Sequence, residues 1–388
     1  MKPEAAQASR GSRLNSVDLL RGIVMVVMAL DHVRDFFGTS GWDPAFATAG
    51  APLFATRWIT HFCAPVFVFL AGTGAWLSLG RGKTKPELAR FLLTRGAWLA
   101  LLDVSLVSCS WFFRVGNPFV TDVIWAIGWS MIVLAALVRV PLRFALIFGL
   151  VLVAGHNALD GIHASSLGSA GWVWMILHEP GLIRLPWGGS WFVGYPLVPW
   201  IGVMPLGYAA GALLTQEPAK RRRHLALLGA GMLAAFVLLR GTNLYGDPLP
   251  WSRGTSALTT AFSFVNCHKY PPSLLYLLMT LGPAMLALAA LDRVRVGQRN
   301  FFIVFGRVPL FYYVVHLYAI HLAAGLTFVS RFGPAAFHVD PDAPPPGFGV
   351  SLGRIYLVWL GVVLAMYPLC AWFAGIKRRG RSAWLSYV

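Results

Sequence analysis

A chain of 388 residues that is 57% hydrophobic and only 12% charged, with a mean hydropathy of +0.64, does not describe a soluble domain. Its net charge of +17 is read first against a bilayer, and nucleic acid need not be invoked to explain it. No linker, low-complexity run or composition shift divides the chain. The expectation is one all-α, polytopic integral membrane bundle over 1–388, with cytoplasmic tails at 1–15 and 376–388.

Hydropathy predicts ten spanning helices, near 17–37, 55–79, 91–113, 120–138, 142–158, 191–214, 222–240, 273–292, 299–325 and 352–374. The first holds polar Asp18 and Arg21 and is followed by no small-residue cleavage site, so it reads as a retained helix rather than a signal peptide. With both termini in the cytoplasm, 23 of the 32 Lys and Arg residues fall on the inner side, which satisfies the positive-inside rule. The longer loops (155–190, 241–272, 327–351) then face outward. No internal repeat emerges, which weighs against the commonest transporter architecture. Trp58, Trp111, Trp191, Tyr195, Trp251 and Trp372 fall near predicted helix ends and read as interfacial anchors.

The first segment carries the main functional signal. Arg21 and His32 are eleven residues apart, about three turns plus roughly 20°, so they share one helical face. The rise separates them by roughly 16 Å, about half the bilayer core. Ionisable groups inside a spanning segment default to a functional reading. His32 can exchange a proton near neutral pH. Asp31 and Asp35 flank it as candidate carboxylate supports for a general base, and Arg34 lies within pairing distance of Asp31.

Further along, His61 lies in the second segment as a candidate acceptor-side group. Arg95 and Arg307 join Arg21 as candidates to grip phosphate, while Arg90 suits snorkelling to lipid headgroups. Gly22 and Gly306, beside Arg21 and Arg307, are read as letting a bulky group approach the backbone. Asp103 in the third segment pairs with His316 or belongs to a proton path. The outer run Asn266–Ser273 offers His268, Lys269 and Tyr270 to a sugar-like acceptor, held by the rigid Pro271–Pro272 pair. His156, Asp160, His163, His178 and Glu179 are scattered without ligand spacing, so no metal site is expected. The four cysteines form no redox or metal motif. Buried free thiols are preferred over a bridge from Cys267 to Cys63 or Cys109.

Arg21-x10-His32, Asp31–Phe37 and Trp58–Thr73, together with Tyr195–Tyr208, Lys269–Pro283 and Phe305–Tyr318, resemble the bacterial branch of the heparan-α-glucosaminide N-acetyltransferase-like membrane proteins. The Arg-x10-His spacing also resembles the wider transmembrane acyltransferase superfamily. That resemblance implies acetyl-CoA (or another acyl-CoA) as cytoplasmic cosubstrate at Arg21, and an acceptor at His32. The lysosomal enzyme of the family places its active histidine in the first lumenal loop. Residues 33–60 here contain none, so the chemistry is closer to the superfamily's helix-1 histidine. The implied protein is a multi-pass acetyltransferase of the bacterial inner membrane, partnered by the lipid bilayer and a sugar or glycan acceptor, with a homodimer as candidate assembly. Its runner-up mechanism is a relay through acetyl-His32. The rival class is a transporter of a polar or anionic solute using the same Arg/His pair.

Overall fold

The computed structural model describes residues 14–39, 50–114, 118–340, 344–380, 385 and 387. The basic residues Lys2, Arg10, Arg13 and Arg381 therefore lie outside the described residues, as does most of the expected N-terminal tail.

The chain is mostly helical. Among the described residues, eight helical runs are long and apolar enough to cross a membrane: Ala51–Leu79, Lys85–Phe112, Leu142–Leu159, Leu197–Leu214, Pro218–Thr242, Leu274–Leu291, Pro309–His338 and Leu352–Arg379. Two expected spans fall outside that set for identifiable reasons. Helix α1 (Asn15–Phe37) carries five charged side chains in its 23 residues. The segment expected at 120–138 yields a helix of only 15 residues, Val123–Leu137.

Proline and polar caps account for the internal breaks. The expected helix 55–79 is two helices, α2 (Ala51–Thr60) and α3 (Cys63–Leu79), interrupted at His61–Phe62. Pro65 has no N–H to give to the carbonyl of His61, four residues earlier. The Tyr276 hydroxyl donates to that carbonyl instead, at 2.6 Å, which meets the requirement that backbone groups within a bilayer find protein partners. The next run begins six residues earlier than expected, because Thr84 and Glu87 form a reciprocal capping box. It comprises α4 (Lys85–Leu102), a π-helical turn over Asp103–Val107 and α5 (Ser108–Phe112).

The expectation of an all-α chain misses a small sheet. Strands β1 (Phe119–Thr121), β2 (Gly181–Arg184) and β3 (Ser190–Val193) associate in the order β1-β3-β2, parallel then antiparallel. The residues of β1 and β3 were absorbed into the predicted spans 120–138 and 191–214, and β2 fell in the predicted loop 155–190, since short apolar runs carry no period that separates strand from helix. Helix α6 (Val123–Leu137) starts at Asp122, whose carboxylate accepts from the Val123 N–H. The chain then forms α7 (Leu142–Gly155), α8 (Gly171–Leu177), α9 (Leu197–Leu214) and α10 (Pro218–Thr242). It ends with α11 (Ala257–Val265), α12 (Leu274–Leu291), α13 (Phe301–Arg307), α14 (Pro309–Phe332) and α15 (Leu352–Arg379). Pro309 accounts for the split of the expected helix 299–325 into α13 and α14. Helix α15 runs past residue 376, where a tail was expected.

Helix α1 is the central strut. It packs against α2, α3, α12, α13, α14 and α15, and most of its residues are buried all round. Its contact with α13 is the closest. A Cβ on Gly22 would collide with the Phe302 carbonyl oxygen, and a Cβ on Gly306 with the Asp18 carbonyl oxygen. The two glycines thus let helix backbones touch, as small residues do in membrane bundles. The expected approach of a ligand to these glycines is corrected accordingly, because a helix already occupies the space. Gly306→Ala should destabilise the bundle by about 1–3 kcal/mol, since the obstructing atoms are main chain and have little room to yield. Thermal unfolding in detergent checks it, and an unchanged melting temperature would count against the contact.

At the end opposite the Lys/Arg-rich loops, buried Arg240 organises the 241–272 segment. Its guanidinium donates to the carbonyl oxygens of Phe264, Leu249, Ser263 and Asn266, and lies 3.7 Å from Asp247. Asp247 in turn accepts from the His268 N–H and the Ser273 hydroxyl, which fixes the turn that leads into α12. All four cysteines are free thiols, and Cys63, Cys267 and Cys370 are buried.

Candidate active site

The basic end of the bundle opens into a cavity of about 570 Å³, within the roughly 300–1,000 Å³ typical of small-molecule sites. Arg21, Arg95 and Arg307 all line it, from α1, α4 and the α13–α14 break. Sequence reading grouped these three by charge, and the fold brings them together. It missed that Arg81, Lys83 and Lys377 line the same cavity. Those residues registered only as topology signals, because nothing local aims them inward. Asp18 organises the arginine pair: Arg21 lies 3.3 Å from one carboxylate oxygen and Arg307 3.7 Å from the other. Arg21 also donates to the Gly306 carbonyl at 3.0 Å. Arg95 lies three turns into α4 rather than one, since the helix begins at Lys85. Arg90 is exposed, in keeping with a snorkelling role.

Apolar side chains, among them Met25, Leu70, Ile124 and Met131, also line the cavity, as does Tyr313 on α14. The Tyr313 ring sits edge-on to His32, 6.0 Å between centroids. Trp111 makes a second edge contact with His32 at 5.6 Å. It is buried there, so it is a wall of the site and not the interfacial anchor expected.

His32 does not take its support from a carboxylate. Its Nδ1 lies 2.8 Å from Nε2 of His316, and Nδ1 of His316 lies 2.8 Å from the Tyr312 carbonyl oxygen. A carbonyl only accepts, so His316 Nδ1 carries a proton. Neutral His316 then presents the Nε2 lone pair, and His32 Nδ1–H donates to it. The chain of bonds selects one tautomer and leaves Nε2 of His32 as the basic nitrogen. The two rings also stack, 4.9 Å apart. His316 was expected beside Asp103. Asp103 instead accepts from the Asp122 N–H at 3.0 Å, and Asp122 accepts from the Tyr313 hydroxyl at 2.7 Å.

Asp31 and Asp35, expected behind His32, are engaged by cations. Arg34 donates to both, at 2.9 and 2.8 Å. Asp31 further accepts from Thr60 at 2.9 Å and faces the Lys269 ammonium at 3.6 Å. Burial works against the Lys269 charge, but Tyr270 and Asp31 outweigh it and hold its pKa well above the ordinary lysine value. Lys269 also lies over the Tyr270 ring, which packs edge-on to Tyr195. Arg34, Lys269 and Tyr270 thus lie together around Asp31. His268 is held by its own N–H, which donates to Asp247 at 2.9 Å. His61 is buried against Tyr276, and neither of its ring nitrogens has a hydrogen-bond partner.

The chain is thus a multi-pass helical bundle with a basic cavity at one end, and buried His32 reaches that cavity only through its contact with the lining residue Tyr313. Residues 13–244, more than half of the chain, match the family heparan-alpha-glucosaminide N-acetyltransferase, catalytic. The chain belongs to that family and is a membrane acetyltransferase. Enzymes of this type use acetyl-CoA as donor. No curated protein matches the chain significantly.

Proposed function

We propose that the protein transfers an acetyl group from cytoplasmic acetyl-CoA to an amine or hydroxyl of an extracytoplasmic amino sugar or glycan, in the inner membrane of a bacterium. In this reading residues 1–388 form one domain of ten spans with both termini in the cytoplasm, and charged α1 and short α6 supply two of them beside the eight long apolar runs. The observation that carries the proposal is the path from Arg21, Arg95 and Arg307 along the cavity to Tyr313 and His32.

The arginine forks take the CoA phosphates as charge-assisted hydrogen-bond partners. The apolar stretch beyond them accepts the thioester arm. At its end, Nε2 of His32 removes the proton from the acceptor nitrogen or oxygen as that atom attacks the thioester carbonyl. The new C–N or C–O bond forms, the C–S bond breaks, and the proton passes from His32 to the departing CoA sulfur. The acceptor approaches from the opposite face, beside Lys269, Tyr270, Arg34 and His61. Asp31 keeps Lys269 charged and in place.

Arg21→Ala should weaken CoA binding roughly ten- to hundredfold, the loss of charge-assisted bonds worth on the order of 1.5–3 kcal/mol. Calorimetry on folded protein reads it, and full CoA affinity in the variant would remove Arg21 from the site. Release of free CoA on mixing with acetyl-CoA and a glucosamine acceptor separates this enzyme from a transporter, which would exchange solute and release none.

A further inference from the structure

His156, Asp160 and His178 share no motif spacing, yet folding brings them together. One ligand atom from each lies within 4.8 Å of the other two. From this cluster we infer that the chain binds one divalent transition-metal ion, of zinc type, on the face opposite the basic cavity, where it fastens the end of α7 to the turn that carries Lys269.

The geometry is specific. His156 and Asp160 are four residues apart, separated by the 3₁₀ turn His156–Leu159, and their ligand atoms nevertheless lie within 4.8 Å of each other. Nδ1 of His156 lies 3.3 Å from Nε2 of His178. For Zn–N bonds of about 2.0–2.1 Å, the edge of a tetrahedron is roughly 3.3–3.4 Å. The two imidazoles thus already stand at the spacing of paired ligands. Nε2 of His178 lies 3.8 Å from Asp160 Oδ1, an edge that must shorten by about 0.4 Å to reach the same figure.

Both imidazoles are buried, so each needs a partner for its polar edge. His178 Nε2 is 3.0 Å from the His156 carbonyl. The His156 ring also meets the Pro272 backbone, and without an ion one proton serves the corner it shares with His178. An ion takes the place of that proton. Two imidazoles and one carboxylate suit zinc, whereas calcium and magnesium prefer all-oxygen sets. The Asp160 side chain is the open side of the cluster, 21% exposed, which leaves the fourth position to water.

The supporting shell is in place. Asn157 Nδ2 donates to Asp160 Oδ2 at 2.8 Å, fixing the carboxylate. Asn157 Oδ1 accepts from the Leu274 N–H at 2.9 Å, at the first turn of α12. Trp174 stacks on the His178 ring, 5.0 Å between centroids. Tightening the three ligands on an ion therefore also anchors the start of α12, directly after Lys269 and Tyr270.

The test uses the full-length chain in detergent, tag removed and metal-depleted, titrated with Zn²⁺ alone, with Co²⁺ as a spectroscopic substitute. One equivalent should bind, and Co²⁺ should give the intense visible bands of a tetrahedral site. Asp160→Asn and His178→Ala should each abolish those bands. Asn157→Leu, which leaves all three ligands, should weaken affinity by about 10–100-fold. Zn²⁺ should raise the melting temperature of the natural chain and not that of Asp160→Asn, whose near-isosteric side chain preserves packing. No uptake by the natural chain, or equal uptake by all three variants, overturns the site. The CoA affinity of the protein is indifferent to either outcome, so this result and that of the acetyltransferase reading remain separate.

Discussion

Replacing His32 by alanine should lower turnover by about 10²–10⁴-fold, the usual range for losing general acid–base help, while CoA still binds. The expectation rests on three observations. His32 lies about 16 Å along α1 from Arg21. The cavity is lined by Tyr313, which is in edge contact with the His32 ring. The hydrogen-bond chain through His316 leaves Nε2 of His32 basic. Steady-state turnover paired with CoA calorimetry separates chemistry from binding. Direct attack by the acceptor predicts that radiolabelled acetyl-CoA in the absence of acceptor leaves no label on the protein. Label trapped on His32 would move the mechanism to an acetyl-histidine relay. Full activity in His32→Ala would transfer the role to another imidazole, and His61, buried with both ring nitrogens unbonded, is next in line.

His316 is a positioning residue, and its loss should be felt only through His32. His316→Phe keeps an aromatic ring in the stack but removes the acceptor. Either a buried N–H is then unsatisfied or the His32 tautomer changes. The cost is about 1–3 kcal/mol, roughly a five- to 150-fold loss in rate. His316→Gln retains an acceptor for His32 Nδ1–H and should recover part of the rate, which a purely structural role would not predict. In the double variant His32→Ala/His316→Phe, turnover should be no lower than in His32→Ala alone, because the two act as a unit. Additive losses would separate them.

What could be read from the sequence follows the range over which each signal acts. The Arg21/His32 face came from helical periodicity within one segment, and the eight apolar runs came from composition. Both are local. The breaks at Pro65 and Pro309 were visible as prolines but not as breaks, because prolines are common within membrane helices when a neighbour repairs the backbone. At Pro65 that neighbour is Tyr276, 215 residues from the His61 carbonyl that it caps. The His32–His316 couple spans 284 positions and leaves no local trace. His316 entered only as one of two readings for Asp103, beside a proton path, and its contact with His32 went unseen, since sequence does not say which helices adjoin. Gly22 and Gly306 were read as room for a ligand, whereas each accommodates the other's helix. The three strands are too short to show an alternation.

The seam between α1 and α13 bears on how an acetyl group crosses the membrane interior. With a carbonyl oxygen lodged against each glycine, these two helices cannot slide or rock without prising main chain from main chain. Arg21 and Arg307, held on a single carboxylate across that seam, keep a fixed separation. A carrier working by alternating access needs its halves to swing about the bound solute, and the seam resists that motion where the solute would sit. In the proposed reaction the acetyl group would therefore travel on a scaffold that stays put. The reach from the phosphate end to His32 would come from the length of the cosubstrate's own flexible arm, making donor chain length a ruler that the bundle reads at Tyr313.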